Sequence, residues 1–419
     1  MCHNHITNVD NAFLAIHQTN AATSSTQNRR IRKDIIQNVS NDRRLTTNRR
    51  NRNTNLEALA NELLFNIFEY LSTGHLLNAF HDLNSHFDTL LFAHFRVCHL
   101  DFQAMLQSNL KQICQRYLSL IKDRMASVRI SDQNHKMKQT QLLSLNSVNL
   151  RHFNHLRSIT LCHISSEQRM NKIMTDWSYL HGLTRLKIIK CHSSFPYRRS
   201  IDLSNIIWSL PKLTHIYLDT DYHKFYMPEI RSLSIEYVGI VGHCSRLEDI
   251  VQLIKKTTSL RGLCISHRDL NDDQYFTSPI LSITTLKLYD IHSREVLMNL
   301  LRTMINLCHL TVETYYLNLD GYQWEQIITQ YLPKLQVFRL KMDIQLTGKR
   351  NNEQEDGILL DSFRHRFWLE EHRWYVRCHR KSQHNYSDIL IYTLPLLFSN
   401  VNINTIDCPF KSTCPCDRT

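Results

Sequence analysis

One short pattern recurs along more than half of the chain and limits what it can fold into. Nine segments alternate in period two, most reading apolar-x-x-apolar-x-apolar. They are SVRI (127–130), LRSITL (156–161), LTRLKII (183–189), LTHIYL (213–218), IRSLSI (230–235), LRGLCI (260–265), ITTLKL (283–288), LCHLTV (307–312) and LQVFRL (335–340). Period two is the signature of a half-buried strand. First positions recur after 30 residues (183 to 213 and 230 to 260), then 23, 24 and 28, and the step from 213 to 230 is only 17, too short for much helix. Helical stripes lie between the strands: Leu247, Ile250, Val251 and Ile254; Val296, Leu297, Leu300, Leu301 and Met304; and Trp324, Ile327, Ile328 and Tyr331 behind Asp320, an expected N-cap. A strand–helix unit of this size cannot bury its apolar face alone, so the units are expected to stack with parallel strands. An ordinary mixed α/β domain is the other architecture that the pattern allows.

The array resembles the leucine-rich repeat, and the unit Leu183-x-x-Leu186-x-Ile188-x-x-Cys191 also carries that family's Asn/Cys position. The resemblance implies a solenoid whose exposed strand face binds a partner. Alternate strand positions on that face are Arg185, Lys187, His215, Tyr217, Asp219, Glu236, Lys287, Tyr289, His309, Glu313, Arg339 and Lys341. Of these, Arg185, Lys187, His215, Tyr217, Lys287, Tyr289, His309, Arg339 and Lys341 are expected to contact a target. Both charge signs and several aromatics alternate there, which suits a protein better than a polyanion. A solvated face with no partner is the plainer reading.

Upstream, Leu56–Phe95 packs three helical patterns into about forty residues: Asn61–Leu71, Leu76–Asp82, and a third opening at Ser85 with Asp88 as its capping partner. So short a unit cannot bury all its apolar surface internally. The order Leu-x-x-Glu-Leu-x-x-x-Ile-Phe-x-Tyr-Leu, Ser/Thr-Gly-x-Leu-Leu, x-Leu-Asn-x-x-Phe-x-x-Leu-Leu, read from Leu59 to Leu91, resembles an F-box. Ala60 stands where that family usually has proline, and Phe87 where it has tryptophan. The resemblance implies docking on the Skp adaptor of a cullin–RING ubiquitin ligase, through Leu59, Leu63, Ile67, Phe68, Leu71, Leu76, Leu77, Phe80 and Leu83. A helical hairpin packed only onto its own domain is the alternative.

The fold class is therefore expected to be α/β. A three-helix F-box (55–100) is followed by a helical bridge, taken as Met105–Met125, and a leucine-rich-repeat-like solenoid with parallel strands and helices (101–345). An aromatic-rich cap and tail (346–419) closes the chain. Charge is uneven: residues 1–54 hold nine Arg/Lys against Asp10, Asp34 and Asp42, which is half of the net +12. That arm is Asn-, Thr- and Arg-rich and is expected to be disordered, with Arg29–Lys33 and Arg49–Arg52 as a possible import signal. No leader or membrane-spanning run is expected, and scattered cysteines point to a reduced cytoplasmic or nuclear compartment.

Catalytic chemistry is not expected. With 8 glycines the chain has no phosphate-cradling Gly-rich motif. His267-Arg268-Asp269-Leu270 copies the start of a kinase catalytic loop, but Gln274 stands where that loop has its metal-binding Asn. Cys408, Cys414 and Cys416 lack paired metal-ligand spacing. No cofactor is expected. The rival function is nucleic-acid association through the Arg arm and the aromatic, basic segment around Phe363, Phe367, Trp368, Trp374 and Tyr375.

Overall fold

Each parallel strand from β2 onward starts two residues after a fully buried apolar side chain, and this corner builds the sheet. The computed structural model describes residues 56, 59–71, 73–95, 99–101, 113–117, 122–132, 150–177, 179–191, 197–219, 226–242, 247–266, 279–315, 317–346, 353–383, 386–395 and 410–418. Residues 1–54, most of Met105–Met125, His267–Leu270 and Cys408 lie outside them.

The strands are β1 His99–Asp101, β2 Ser127–Ser131, β3 Ser158–Cys162, β4 Arg185–Ile189, β5 His215–Asp219, β6 Tyr237–Val241, β7 Gly262–Ser266, β8 Thr285–Ile291, β9 His309–Tyr315, β10 Val337–Leu346, β11 Val376–Gln383, β12 Tyr386–Thr393 and β13 Phe410–Ser412. They form one 13-stranded sheet in which β1 to β10 follow chain order. All pairs from β1 to β10 are parallel. At the corners, Leu156, Leu183, Leu213, Ile235, Leu260, Ile283, Leu307 and Leu335 are buried. Six of these leucines close the turn by donating their N–H three residues back, at 3.0 to 3.4 Å.

The residue after each corner but the last offers a carbonyl that accepts two N–H groups of the next unit. Arg157 O takes Thr184 N (2.8 Å) and Arg185 N (2.9 Å), and Thr184 O takes Thr214 N (2.9 Å) and His215 N (3.0 Å). Thr214, Glu236, Arg261, Thr284 and Cys308 continue the same arrangement to Val337. A carbonyl has two lone pairs, so one acceptor satisfies both donors of a buried bend.

Eight of the nine expected strand segments lie at these positions. IRSLSI (230–235) does not: residues 229–236 hold only an isolated bridge, Ser232 to Thr257, and the strand is Tyr237–Val241. Both readings fit the pattern, because Ile230, Leu233, Ile235 and Ile235, Val238, Ile240 share the spacing. Burial decides between them: Ile235, Val238 and Ile240 are buried, while Leu233 is 78% exposed. The corrected step from Leu213 is 22 residues, not 17.

Helices back the sheet. In the module before it lie α1 Asn61–Glu69, α2 Thr73–Phe80 and α3 Ser85–Phe95, and between strands lie α4 Glu167–Trp177, α5 Tyr197–Ser209, α6 Leu247–Lys256, α7 Arg294–Thr303 and α8 Gly321–Tyr331, with α9 Glu353–Asp361 beyond them. Asp320 caps α8 in a reciprocal box with Gln323, and Ser293 caps α7 through Val296 N. At α3 the cap is Asn84, which accepts Phe87 N at 2.9 Å, whereas the expected partner Asp88 accepts Asp82 N instead. Of the expected bridge helix, the described residues hold a π turn at Ile113–Tyr117 and a 3-10 turn at Lys122–Arg124, and the remainder lies outside them. Among the described residues, no helix is long and apolar enough to cross a membrane.

After β10 the sheet turns antiparallel, in the order β10-β12-β11-β13. Phe363, Phe367, Trp368 and Trp374 pack here with Trp324 and Phe338, with Phe363 and Trp368 centroids 4.9 Å apart. These four rings are buried, so among the aromatics of that segment half-buried Tyr375 is the one with a face to offer a base. Asp417 pairs with Arg377 through two bonds of 2.6 and 2.9 Å, and these hold its carboxyl low, at about 2.

The closing segment locks onto α8 at one glycine. Gly321 N donates to Ser362 Oγ (2.7 Å), Trp368 Nε1 donates to Gly321 O (3.2 Å), and a Cβ on Gly321 would lie 2.1 Å from Ser362 O. That neighbour is backbone and cannot swing aside. Gly321→Ala is therefore expected to cost about 2–3 kcal/mol by overpacking. Urea unfolding followed by tryptophan fluorescence measures it, and an unchanged midpoint would contradict this packing.

Candidate interaction surfaces

The helical module divides its apolar side chains between two jobs. Phe68, Leu76, Leu77 and Phe80 are 0 to 3% exposed and pack with Leu64, Phe87, Leu90 and Leu91. Phe68 and Phe80 centroids lie 4.9 Å apart, and Phe80 and Phe87 5.4 Å. These four expected adaptor contacts form the module's own core and leave almost no exposed apolar area. The others stand outside. Leu59, Leu63 and Leu83 are 37, 50 and 40% exposed, and Ile67 and Leu71 are half-buried. Tyr70, which sequence reasoning passed over, is 82% exposed.

Helical geometry explains the split. Leu64 and Phe68 are four apart and face the core, while Leu63, Ile67 and Tyr70 recur at i, i+4 and i+7 on an adjacent stripe. His94 is buried against Phe65 and Phe68, and burial lowers its pKa. His81, Asp82 and Asp88 bring their ligand atoms within 4.8 Å of one another, with His81 Nδ1 3.0 Å from Asp82. These contacts are accounted for by the His81 Nδ1–Asp82 pairing and by the hydrogen bond from Asp82 N to Asp88.

The second surface is the sheet face that carries the alternate strand positions. Parallel register aligns them in rows. The first row, β2 to β10, reads Ser127, Ser158, Arg185, His215, Tyr237, Gly262, Thr285, His309, Val337. The second reads Arg129, Thr160, Lys187, Tyr217, Gly239, Cys264, Lys287, Thr311, Arg339. Seven of the nine expected target contacts stand in these two rows. Tyr289 and Lys341 lie one row further on, beside Ser266 and Glu313.

Two tyrosines lie over the neighbouring glycines. A Cβ on Gly239 would meet Tyr217 Cδ2 at 2.6 Å, and one on Gly262 would meet Tyr237 Cδ2 at 2.5 Å. Only glycine lets the rings lie flat across the next strand, a cross-strand covering of bare backbone. His215 stacks on Tyr237 (centroids 5.9 Å), and Lys287 Nζ lies 5.9 Å from the Tyr237 ring centre. Cys264, in the second row, is buried, which pushes its thiol up to about 11. Tyr237 and Gly239 escaped the sequence reading because the β6 segment was set five residues early, and the signal was the alternation in YVGIV; Gly262 and Cys264 lie in LRGLCI, a segment placed correctly but not read for its outer face. Further along, Lys341 is buried and paired with buried Glu313, which also accepts from Tyr315 Oη (2.9 Å). Lys341, one of the expected target contacts, is thus half of an internal pair. Among the expected C-terminal thiols, Cys414 is buried and Cys416 exposed.

Burial raises the phenols of Tyr217, Tyr237 and Tyr289, because the charged phenolate loses its water. A raised folded pKa means the fold keeps these protons, so stability is lost as pH climbs above the unfolded value of ~10. Absorbance titration at 295 nm is expected to leave a subset of the 17 tyrosines un-ionised near pH 11, until the protein unfolds. The triple variant to Phe at positions 217, 237 and 289 should shrink that subset, which Tyr315 and Tyr392, raised by burial as well, still share. Free titration of all tyrosines in the folded parent would contradict the burial.

Comparison of the chain with models of known protein families gave no match, and comparison with curated proteins gave none.

Proposed function

We propose that this chain is an F-box substrate receptor with a leucine-rich-repeat-like solenoid. The helical module docks on the Skp adaptor of a cullin ubiquitin ligase, and the sheet face holds a protein target for ubiquitination. The chain supplies no bond-making chemistry. It raises the effective concentration of the target beside a ubiquitin conjugate held by other subunits. The proposed place of action is the cytoplasm or nucleus, where ubiquitin ligases of this kind work.

The observation that carries the reading is the second apolar stripe of α1. Its core stripe, Leu64 and Phe68, already closes the module, yet Leu63 and Tyr70 remain exposed beside half-buried Ile67, and Leu59 and Leu83 add to the exposed apolar area. A module that packed only onto its own domain would have no use for that stripe. Exposed anchors of this type concentrate binding energy in a few residues.

The exposed position also makes the test clean, because the core is untouched. Leu63→Ala combined with Tyr70→Ala is expected to keep the parent's helicity and thermal midpoint. Adaptor binding by calorimetry should weaken by about 2–4 kcal/mol, some 30- to 1000-fold. Parent-like affinity in the folded variant, or no binding by the parent, overturns the reading.

A further inference from the structure

The two outer rows of the sheet carry charge of one sign only. From β2 to β10 they hold Arg129, Arg185, Lys187, Lys287 and Arg339, with His215 and His309, and no Asp or Glu. Acids lie outside them: Asp101 of β1 stands in register with Arg129 at one end, and Asp219 and Glu313 fall in the third row. Glu313 is already matched by Lys341. Between the cations of β4 and β8, the floor is Tyr217 over Gly239 and Tyr237 over Gly262. The face is thus basic at both ends, flat and aromatic at its centre, and bordered by acids.

We propose that these two rows bind an extended acidic peptide of a target protein, laid across strands β4 to β10. Its carboxylates would sit on Arg185, Lys187, Lys287 and Arg339, and a flat apolar side chain on the Tyr217–Gly239 and Tyr237–Gly262 floor. The inference rests on the proposed role of this face as the target-binding surface. Six strand steps of ~4.8 Å give about 29 Å, which a peptide rising ~3.3 Å per residue covers with about nine residues. Lys287 and Arg339 stand two strands apart, about 10 Å, so a carboxylate every third residue matches them. Such singly spaced cations suit monovalent carboxylates, whereas a phosphate dianion is held best by convergent donors. The third-row acids disfavour a continuous nucleic-acid backbone, whose phosphates would run beside Asp219.

The probe is a fluorescein-labelled twelve-residue peptide with Glu at every third position around a central Phe. Its control carries Gln in place of Glu. Binding to the full chain is followed by anisotropy, with no adaptor present, so the outcome is independent of the α1 stripe. The full chain includes the basic segment 29–52, so the sheet is read from variants that leave that segment unchanged. K287E with R339E, and separately R185E with K187E, should each weaken the Glu peptide by at least tenfold while keeping the parent's circular dichroism. Should one pair fail to fold, the other still decides. The Gln peptide should bind at least tenfold more weakly than the Glu peptide. Equal binding of both peptides, no binding of either, or parent-like affinity in a folded charge-reversed variant overturns the proposal. So does tighter binding of a twelve-nucleotide single-stranded DNA that the same variants abolish.

Discussion

The structure depends on one backbone arrangement, the corner carbonyl that accepts two N–H groups from the next unit. It recurs at Ala126, Arg157, Thr184, Thr214, Glu236, Arg261, Thr284 and Cys308. A chain that bends sharply into a strand would otherwise bury donors without partners, at a cost of about 1–3 kcal/mol for each. Sharing one acceptor removes that cost and fixes the distance and register between neighbouring units. The buried leucine or isoleucine just before the acceptor holds the bend against the core. Threonine hydroxyls reinforce it where they occur: Thr184 and Thr214 each donate to the preceding corner carbonyl at 3.0 Å.

Because the corner and not the helix defines the unit, the length between strands is free to vary. Helices of 10 to 13 residues back several strand pairs. The described part of the β5–β6 connection, residues 226–236, holds none, yet β6 keeps the same register and the same corner. Fixed register is also what lines side chains up in rows across the sheet. Tyr217 can lie over Gly239, and Tyr237 over Gly262, only because each corner repeats the last. Irregular repeat length and a regular sheet face are in this way compatible.

The spacing of apolar residues made most strands legible, along with the caps Asp320 and the buried stripe of α7. Where legibility failed, two readings shared one pattern or one face. Ile235 belongs to both IRSLSI and IEYVGI, and only burial separates them. In the helical module, apolarity identified Phe68, Leu76, Leu77 and Phe80, but it could not tell an anchor from a core residue. Both are apolar at helical spacing, and the difference lies in which stripe faces α2 and α3. Tyr70 stands in the F-box pattern but was not counted among its contacts, and the pairing of Lys341 was not legible because its partner Glu313 stands on the neighbouring strand, 28 residues away. On the proposed reading, the useful surface of the module is what its core leaves over.

The corner arrangement is tested most directly by hydrogen exchange, resolved to single amides. The paired amides Thr184 and Arg185, Thr214 and His215, Glu236 and Tyr237, Arg261 and Gly262, Thr284 and Thr285, and Cys308 and His309 should all exchange as slowly as the strand amides beside them. They should also lose protection together with those strands in rising denaturant. Corner amides that exchange at the rate of exposed loops, while the strands stay protected, would contradict the account.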